Sequence, residues 1–375
     1  MKFQVERELF ADAVAWAARI LPQKAALPVL SGLRLDAGGN GTLSLSGFDY
    51  EVSANVDLEV SVSEAGAALV PGRLLADIVR SLPTAIVDVE TDGSRVVVTC
   101  GTARFALPTL PLDEYPTLPA MPEVTGSLGS DAFAAAITSV AVAAGRDDAL
   151  PVLTGVRVEI EGDQLTLIGC DRYRLAIRTV KWSPVDPGVQ GVALVPAKTL
   201  ADAARSLTSG AEVSLSVAGL EGGDALFGLM GGSRRTTTRL IDGEYPKVRA
   251  LFPDSVAATA VLDTAALTEA VRRVALVASR TSPVRMAFEG GSVTLEAAGL
   301  DDAEAAETLP VTFEGEPLTI AFNPNYLLDG LGAIDSDEAR MTFTTAAKPA
   351  VLTGKDDADG SSDYRYLLMP VRFGG

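Results

Sequence analysis

The chain has 375 residues, 47% of them apolar, 21% charged and 6% aromatic, an ordinary globular composition with length enough for two or three cores. It contains no histidine, which excludes Ser-His and Cys-His nucleophile pairs, histidine metal sites and the usual general base near neutral pH. A formal net charge of −18, taken alone, speaks against nucleic acid, because phosphate contacts need Lys and Arg facing the backbone; net charge is nevertheless silent on distribution.

The first ten residues, MKFQVERELF, are polar and mixed in charge, without the basic region, apolar run and small-residue cleavage site of a signal peptide. The longest apolar-rich stretch, near 132–144, is too short to span a bilayer and carries Thr138 and Ser139. A soluble, intracellular protein is the expectation. Cys100 and Cys170 give neither a disulfide framework nor metal-ligand spacing and read as small buried hydrophobes in a reducing compartment.

Taken in chain order, a first strand leads into a helical stretch, RELFADAVAWAARI at 7–20. ALPVLSGLRL at 26–35 and the alternating run TLSLSGFD at 42–49 follow, the latter reading as a strand with one buried face. VPGRLLADIVRSL at 70–82 predicts a second helix with Pro71 at its start, where a missing N–H costs nothing. Two strand-like runs at 85–100 are separated by turn residues, and DEYPTLP at 113–119 closes the unit. The same order then repeats. A helical stretch at 131–144 with Ser130 as cap precedes ALPVLTGVRV at 149–158, QLTLIGCD at 164–171, VPAKTLADAARSL at 195–207 and GEYPKVR at 243–249. A fainter third copy has a helix at 264–279 capped by Thr264, then SPVRMAFE from Ser282, SVTLEAAG at 292–299 and NPNYLLDGL at 323–331. Pro71, Pro196 and Pro324 correspond. The reading is α+β: three tandem domains at 1–121, 126–252 and 257–375, each with two helices packed on a largely antiparallel sheet.

In the second helix Arg73, Asp77 and Arg80 fall on one face and Leu75, Ile78, Val79 and Leu82 on the other. Its copy sets Lys198, Asp202 and Arg205 against Leu200, Ala203, Ala204 and Leu207. Arg272, Arg273 and Arg280 mark the first helix of the third copy, and Lys24 and Arg146 follow the corresponding helices of the first two. The six helical segments together are net positive, so the acid lies elsewhere. The third copy departs from this, with Tyr326, Gly330 and Ala333 where the first has Arg73, Asp77 and Arg80. A helix is roughly 10 Å across, so six side by side enclose a bore of only about 10 Å and twelve roughly 28 Å. If the helices form an inner wall, B-DNA fits only the larger bore and two chains are needed, head-to-tail closure being one allowed form of symmetric ring.

LPVLSGLRL, the VPxRxLxDIVRSLP helix, CDRYRLA at 170–176, DGEYP at 242–246, IAFNPNYLLDGL at 320–331 and YLLMPVRF at 366–373 together resemble the bacterial DNA sliding clamp family over the whole chain. The resemblance implies three DNA-clamp domains forming half of a six-domain dimeric ring, without catalysis or cofactor. It implies a ring around double-stranded DNA in the cytoplasm, opened by an ATP-driven clamp loader and tethering the replicative polymerase and other replication and repair proteins. The implied DNA-facing residues are Lys24, Arg73, Arg80, Arg146, Lys198, Arg205, Arg272, Arg273 and Arg280. Carried onto matching positions, the partner-peptide pocket comprises Leu153, Cys170, Arg172, Tyr173, Arg174, Leu175, Pro246, Leu251, Pro349, Leu367, Met369, Pro370, Val371 and Arg372. Met369 offers an adaptable apolar surface, and Arg174 and Arg372 can donate to peptide carbonyls or carboxylates. Cys170 replaces a common threonine, Arg172 and Tyr173 a small residue and a frequent histidine, and Ala250 an arginine of some members, so a specialised or duplicate clamp with altered partners is the alternative. The implied ring joint sets Phe105 and Leu107 against Ala275 and Leu276, with core packing inside the protomer as the competing reading.

Other motifs fail. KDDADG at 355–360 begins with Lys355 and would end on Tyr366, so a calcium-loop ligand set is missing. No GxxxxGK[ST] run is present, and the acid pairs Asp301/Asp302 and Asp356/Asp357 read as solvated surface rather than catalytic carboxylates. A carboxylate enzyme or a scaffold unrelated to DNA is the alternative from another class.

Overall fold

A computed structural model describes residues 1–24, 26–207, 210–218, 225–279, 282–299, 303–355 and 363–372. Arg280, Asp301, Asp302 and the acidic loop 356–360 lie outside the described residues. The chain divides into two compact units, Met1–Ser130 with Arg205–Leu240 and Asp131–Ala204 with Ile241–Gly375.

Six α-helices occur among the described residues: α1 (Arg7–Ala17), α2 (Gly72–Ser81), α3 (Ser130–Ala141), α4 (Ala197–Ser206), α5 (Thr264–Val274) and α6 (Pro324–Leu331). Their apolar periodicity is what the sequence predicts. α2 buries Leu75, Ala76, Ile78 and Val79 while Arg73, Asp77 and Arg80 stay exposed. The helix ends differ from the sequence reading. Residues 18–20 tighten into a 3-10 turn, and α5 is capped by Asp263, whose carboxylate accepts from Ala266 N, rather than by Thr264, whose hydroxyl donates to Ser336 O.

In the first unit a five-stranded sheet runs Ser61–Glu64, Lys2–Glu6, Ile86–Asp92, Arg95–Cys100 and Ala103–Pro108. A second sheet runs Val124–Gly129, Glu212–Ala218, Leu226–Gly231, Arg234–Arg239, Val52–Glu59, Thr42–Phe48, Gly32–Ala37 and Gly66–Pro71. Four strands of the second copy therefore meet four of the first across one antiparallel seam, with Thr238 opposite Val52 and Arg234 opposite Val56.

The second unit repeats the arrangement. Gln190–Pro196, Gly155–Glu161, Gln164–Cys170 and Arg174–Lys181 of the second copy meet Tyr364–Leu368, Ala350–Gly354, Glu338–Phe343, Ala258–Asp263 and Thr312–Glu314 of the third. Here the seam sets Arg174 opposite Leu368 and Arg178 opposite Tyr364. A separate four-stranded sheet runs Glu304–Pro310, Ser292–Ala298, Val284–Glu289 and Leu318–Phe322. Two strand edges, Ala103–Pro108 and Glu304–Pro310, have no strand on their outer side among the described residues.

Helix and sheet approach closely at matching glycines. A Cβ on Gly47 would stand 3.1 Å from the Ala17 carbonyl oxygen, and one on Gly169 only 2.5 Å from that of Val140. Replacing Gly169 by valine should therefore cost about 2–3 kcal/mol through forced separation of α3 from its sheet. Gly129→Ala, at a position with nothing within 4 Å, should be close to neutral. Urea unfolding of both variants reads the difference, and equal midpoints would refute the close-packing account.

Candidate functional site

An apolar cluster forms on one face of the second copy's sheet. Alternation along the strands places Ile168, Cys170, Leu175, Ile177 and Leu194 on one side, where Tyr245, Val248 and Leu367 pack against them. Val152, Leu153, Ile241 and Phe252 extend the cluster. Tyr245 Oη donates to Ile168 O at 3.4 Å, and burial pushes both the Tyr245 hydroxyl and the Cys170 thiol upward. Cys170, Leu175 and Leu367 are thus buried in this cluster, while Leu251, Met369 and Tyr173 are 56%, 40% and 50% exposed and form the rim of the expected docking surface. Met369 N donates to Tyr173 O at 2.8 Å, which ties the chain's last strand to the 171–174 turn. Pro246 and Arg372 are exposed, while Pro349, Pro370 and Val371 are half-buried.

A polar cleft of about 680 Å³ adjoins this rim, lined by Arg146, Leu150, Leu153, Arg172, Tyr173, Arg174, Asn325, Tyr326 and Asp329 among others. Its wall is organised by Arg174, only 6% exposed. The guanidinium donates to Asp171 at 3.1 Å and to Asp329, and lies 4.2 Å over the Tyr326 ring. Burial disfavours its charge, but the Tyr366 hydroxyl and the two carboxylates outweigh that and raise its pKa. Asp171 also accepts from Tyr173 N and Arg174 N, fixing the turn. Tyr173 stacks on Tyr326 with ring centroids 6.0 Å apart. Sequence reasoning missed Tyr326 because it read NPNYLLDGL only as lost helix charge; an aromatic gained at that position was the available signal.

The connector after the second copy is pinned by Glu159, which accepts from Arg157 at 2.7 Å and from Arg249. Burial raises the Glu159 carboxyl, but the two guanidinium hydrogen bonds outweigh it and hold it below the ordinary 4.5.

Of the expected DNA-facing residues, Lys24, Arg73, Arg80, Arg146, Lys198, Arg205, Arg272 and Arg273 are exposed. Arg80 lies 3.6 Å from Asp77, Arg272 pairs with Glu269, and Arg273 makes two hydrogen bonds to Glu307 on the edge strand. Arg146 lines the polar cleft. α1 and α3 contribute no unpaired basic face: their exposed residues include Glu8, Leu9, Asp12, Ala132, Ala135 and Thr138. Phe105 on the edge strand is 36% exposed and Leu276, just past α5, 83% exposed, whereas Leu107, at 1%, is buried within its own protomer. Among the described residues no group of His, Cys, Asp and Glu could hold a metal ion, and no helix is long and apolar enough to cross a membrane.

Models of the N-terminal, central and C-terminal domains of the DNA polymerase III beta subunit match residues 1–119, 127–247 and 249–372. The chain is 55% identical over 377 residues to the beta sliding clamp of Streptomyces coelicolor, with all of both chains covered. It is 45% identical over 375 residues to the beta sliding clamp homolog GriR of Streptomyces muensis, again over the full length of both. A crystal structure of the Pseudomonas aeruginosa DnaN sliding clamp bound to griselimycin superimposes with a TM-score of 0.88 at 28% identity, covering 100% of each chain.

Two outcomes follow for the site. Arg174→Met leaves two carboxylates facing a buried gap and should cost roughly 2–4 kcal/mol in urea unfolding, below the full value of a buried pair because Asp329 is partly exposed. A cost no larger than that of an exposed Arg172→Met would sink the argument. Because the Glu159 pKa is lowered on folding, its contribution is complete above 4.5 and is lost as pH falls through the lower folded value. Thermal melts should therefore show Glu159→Gln and the unaltered chain converging in acid and diverging at neutral pH; a constant gap would contradict the linkage.

Proposed function

The chain belongs to the DNA polymerase III beta subunit family and acts as a non-catalytic DNA sliding clamp for the replicative polymerase; we propose that it does so as two copies closed head to tail around the duplex. The observation that carries the closure is that two of the outer strands of the four sheets are counterparts of strands paired at a seam elsewhere in the chain. Each long sheet joins one copy to the next at a seam, and Ala103–Pro108 and Glu304–Pro310 are the counterparts of the strands that meet there. The seam register can be transferred. Hairpin pairings Arg95↔Pro108 and Leu226↔Arg239 equate Leu107 with Thr238, and Ser292↔Pro310 with Thr42↔Glu59 equate Ala303 with Val52. Thr238 opposite Val52 then becomes Leu107 opposite the partner's Ala303, and Phe105 opposite the partner's Ala305.

This register places Phe105 on the same sheet face as the partner's Glu307, which Arg273 of α5 reaches, and hence toward exposed Leu276 near the end of that helix. Arg104 lies diagonal to the partner's Glu304, a favourable cross-strand pair. Arg73, Arg80, Lys198, Arg205 and Arg272 hold phosphates without reading sequence, while the acid elsewhere repels stray nucleic acid. An ATP-driven loader opens the joint, and partner peptides dock on the Leu251, Tyr173 and Met369 rim. A specialised clamp is the second reading, favoured by the Tyr173–Tyr326 stack at that rim. Restoring histidine with Tyr173→His should raise affinity for a replicative polymerase peptide severalfold on that reading and leave it unchanged otherwise.

Leu276→Asp should leave each protomer folded yet convert a dimer to a monomer in sedimentation velocity, with loss of retention on nicked circular DNA after loading. Charge reversal at Arg73, Lys198 and Arg272 should spare dimerisation and shorten retention. Persistent monomers of the unaltered chain, or retention that does not fall when the circle is linearised, would overturn the ring.

A further inference from the structure

The last strand carries an arginine beside the expected docking surface. Alternation along Tyr364–Leu368 buries Tyr364, Tyr366 and Leu368 on one side of the sheet and sets Arg365 and Leu367 on the other, where Arg365 stands opposite Ile177 and Leu367 opposite Leu175. Ile177, Leu175 and Leu367 all belong to the apolar cluster, so Arg365 stands at its margin. The side chain is half-buried, and its guanidinium lies 4.6 Å over the ring of Phe252, the chain neighbour of exposed Leu251.

Stacking occupies one face of the guanidinium and leaves its N–H edge for an acceptor, yet among the described residues no carboxylate pairs with Arg365. Asp363, two residues earlier, is exposed and does not reach it. Burial and the nearby Arg249 guanidinium both disfavour the charge on Arg365. Glu159, the carboxylate that pins this connector, is already engaged by Arg157 and Arg249. A half-buried cation without an acceptor gains more from an incoming carboxylate than an exposed one does, because the pair is less screened by water and salt.

We infer that Arg365 makes the docking surface selective for partner peptides that carry an aspartate or glutamate close to the apolar side chain held at the Leu251 and Met369 rim. The spacing follows from the strand. Met369 lies four residues beyond Arg365, about 13 Å at roughly 3.3 Å per residue, so an extended peptide brings its acid to Arg365 within about four residues of that anchor. An acidic peptide approaches a chain of net charge −18 against the overall field, so a local guanidinium is needed to hold it. The inference rests on peptide docking at that rim and adds to it a preference for charge.

The test uses the full chain and fluorescein-labelled replicative polymerase peptides in which each of the positions flanking the apolar anchor is made Glu or Gln in turn, followed by anisotropy. At one position or more, Glu should bind about three- to tenfold more tightly than Gln, with the ratio shrinking at high salt. Arg365→Gln should bring that ratio to about one, and Arg365→Lys should keep part of it. Arg365→Glu should invert the preference, so that Lys at the same position binds more tightly than Gln, an outcome that loosening of Phe252 alone does not produce. A ratio that survives Arg365→Gln, or saturable binding with no Glu preference at any position, would overturn the inference while leaving docking intact. If no peptide binds saturably, docking at the rim and the preference built on it fall together.

Discussion

Backbone hydrogen bonds across one kind of seam tie each copy of this fold to the next: Arg234–Arg239 to Val52–Glu59, and Tyr364–Leu368 to Arg174–Lys181. A strand edge left open in water is a template for another chain, so a repeat whose sheet ends at such an edge is incomplete alone. The two seams inside the chain satisfy that requirement four times over in strands contributed by neighbours. They also decide where function can sit. A pocket flanking a seam has one wall from each copy, as the Tyr173 turn and the Met369 strand show.

The second seam is further stiffened by a charge. Arg174 would be expensive so far from solvent without Asp171, Asp329 and the Tyr366 hydroxyl around it. Because Asp171 also fixes the backbone of Tyr173, the network that stabilises the sheet sets the position of a rim residue. Stability and the placement of Tyr173 are therefore coupled through one guanidinium, and substitutions that disturb Arg174 will shift the 171–174 turn.

Much of this was legible in the sequence. LPVLSGLRL and LPVLTGVRV, with the VPGR and VPAK helices, disclose the triplication directly, and the α2 face follows from the spacing of Arg73, Asp77 and Arg80. The seams were not legible, because residues such as Ser53 and Thr237 meet across 184 positions and nothing local encodes that pairing. Asp263 displaced Thr264 as a cap because either side chain can accept from the first turn, and Thr264 found a partner in Ser336 instead. Leu107 reads as an interface residue by position, yet it is buried although Phe105, two residues earlier on the same face of the strand, is exposed, so alternation alone does not tell them apart.

The charges on the two free edges bear on which assemblies never form. Ala103–Pro108 carries Arg104, and Glu304–Pro310 carries Glu304 and Glu307. Two copies of the first edge set arginine near arginine, and two copies of the second crowd four carboxylates along one ladder. Like edges thus disfavour each other, which is consistent with the unlike pairing of the proposed ring. A contact of that polarity has a direction, and repeated without closure it gives a filament rather than a ring.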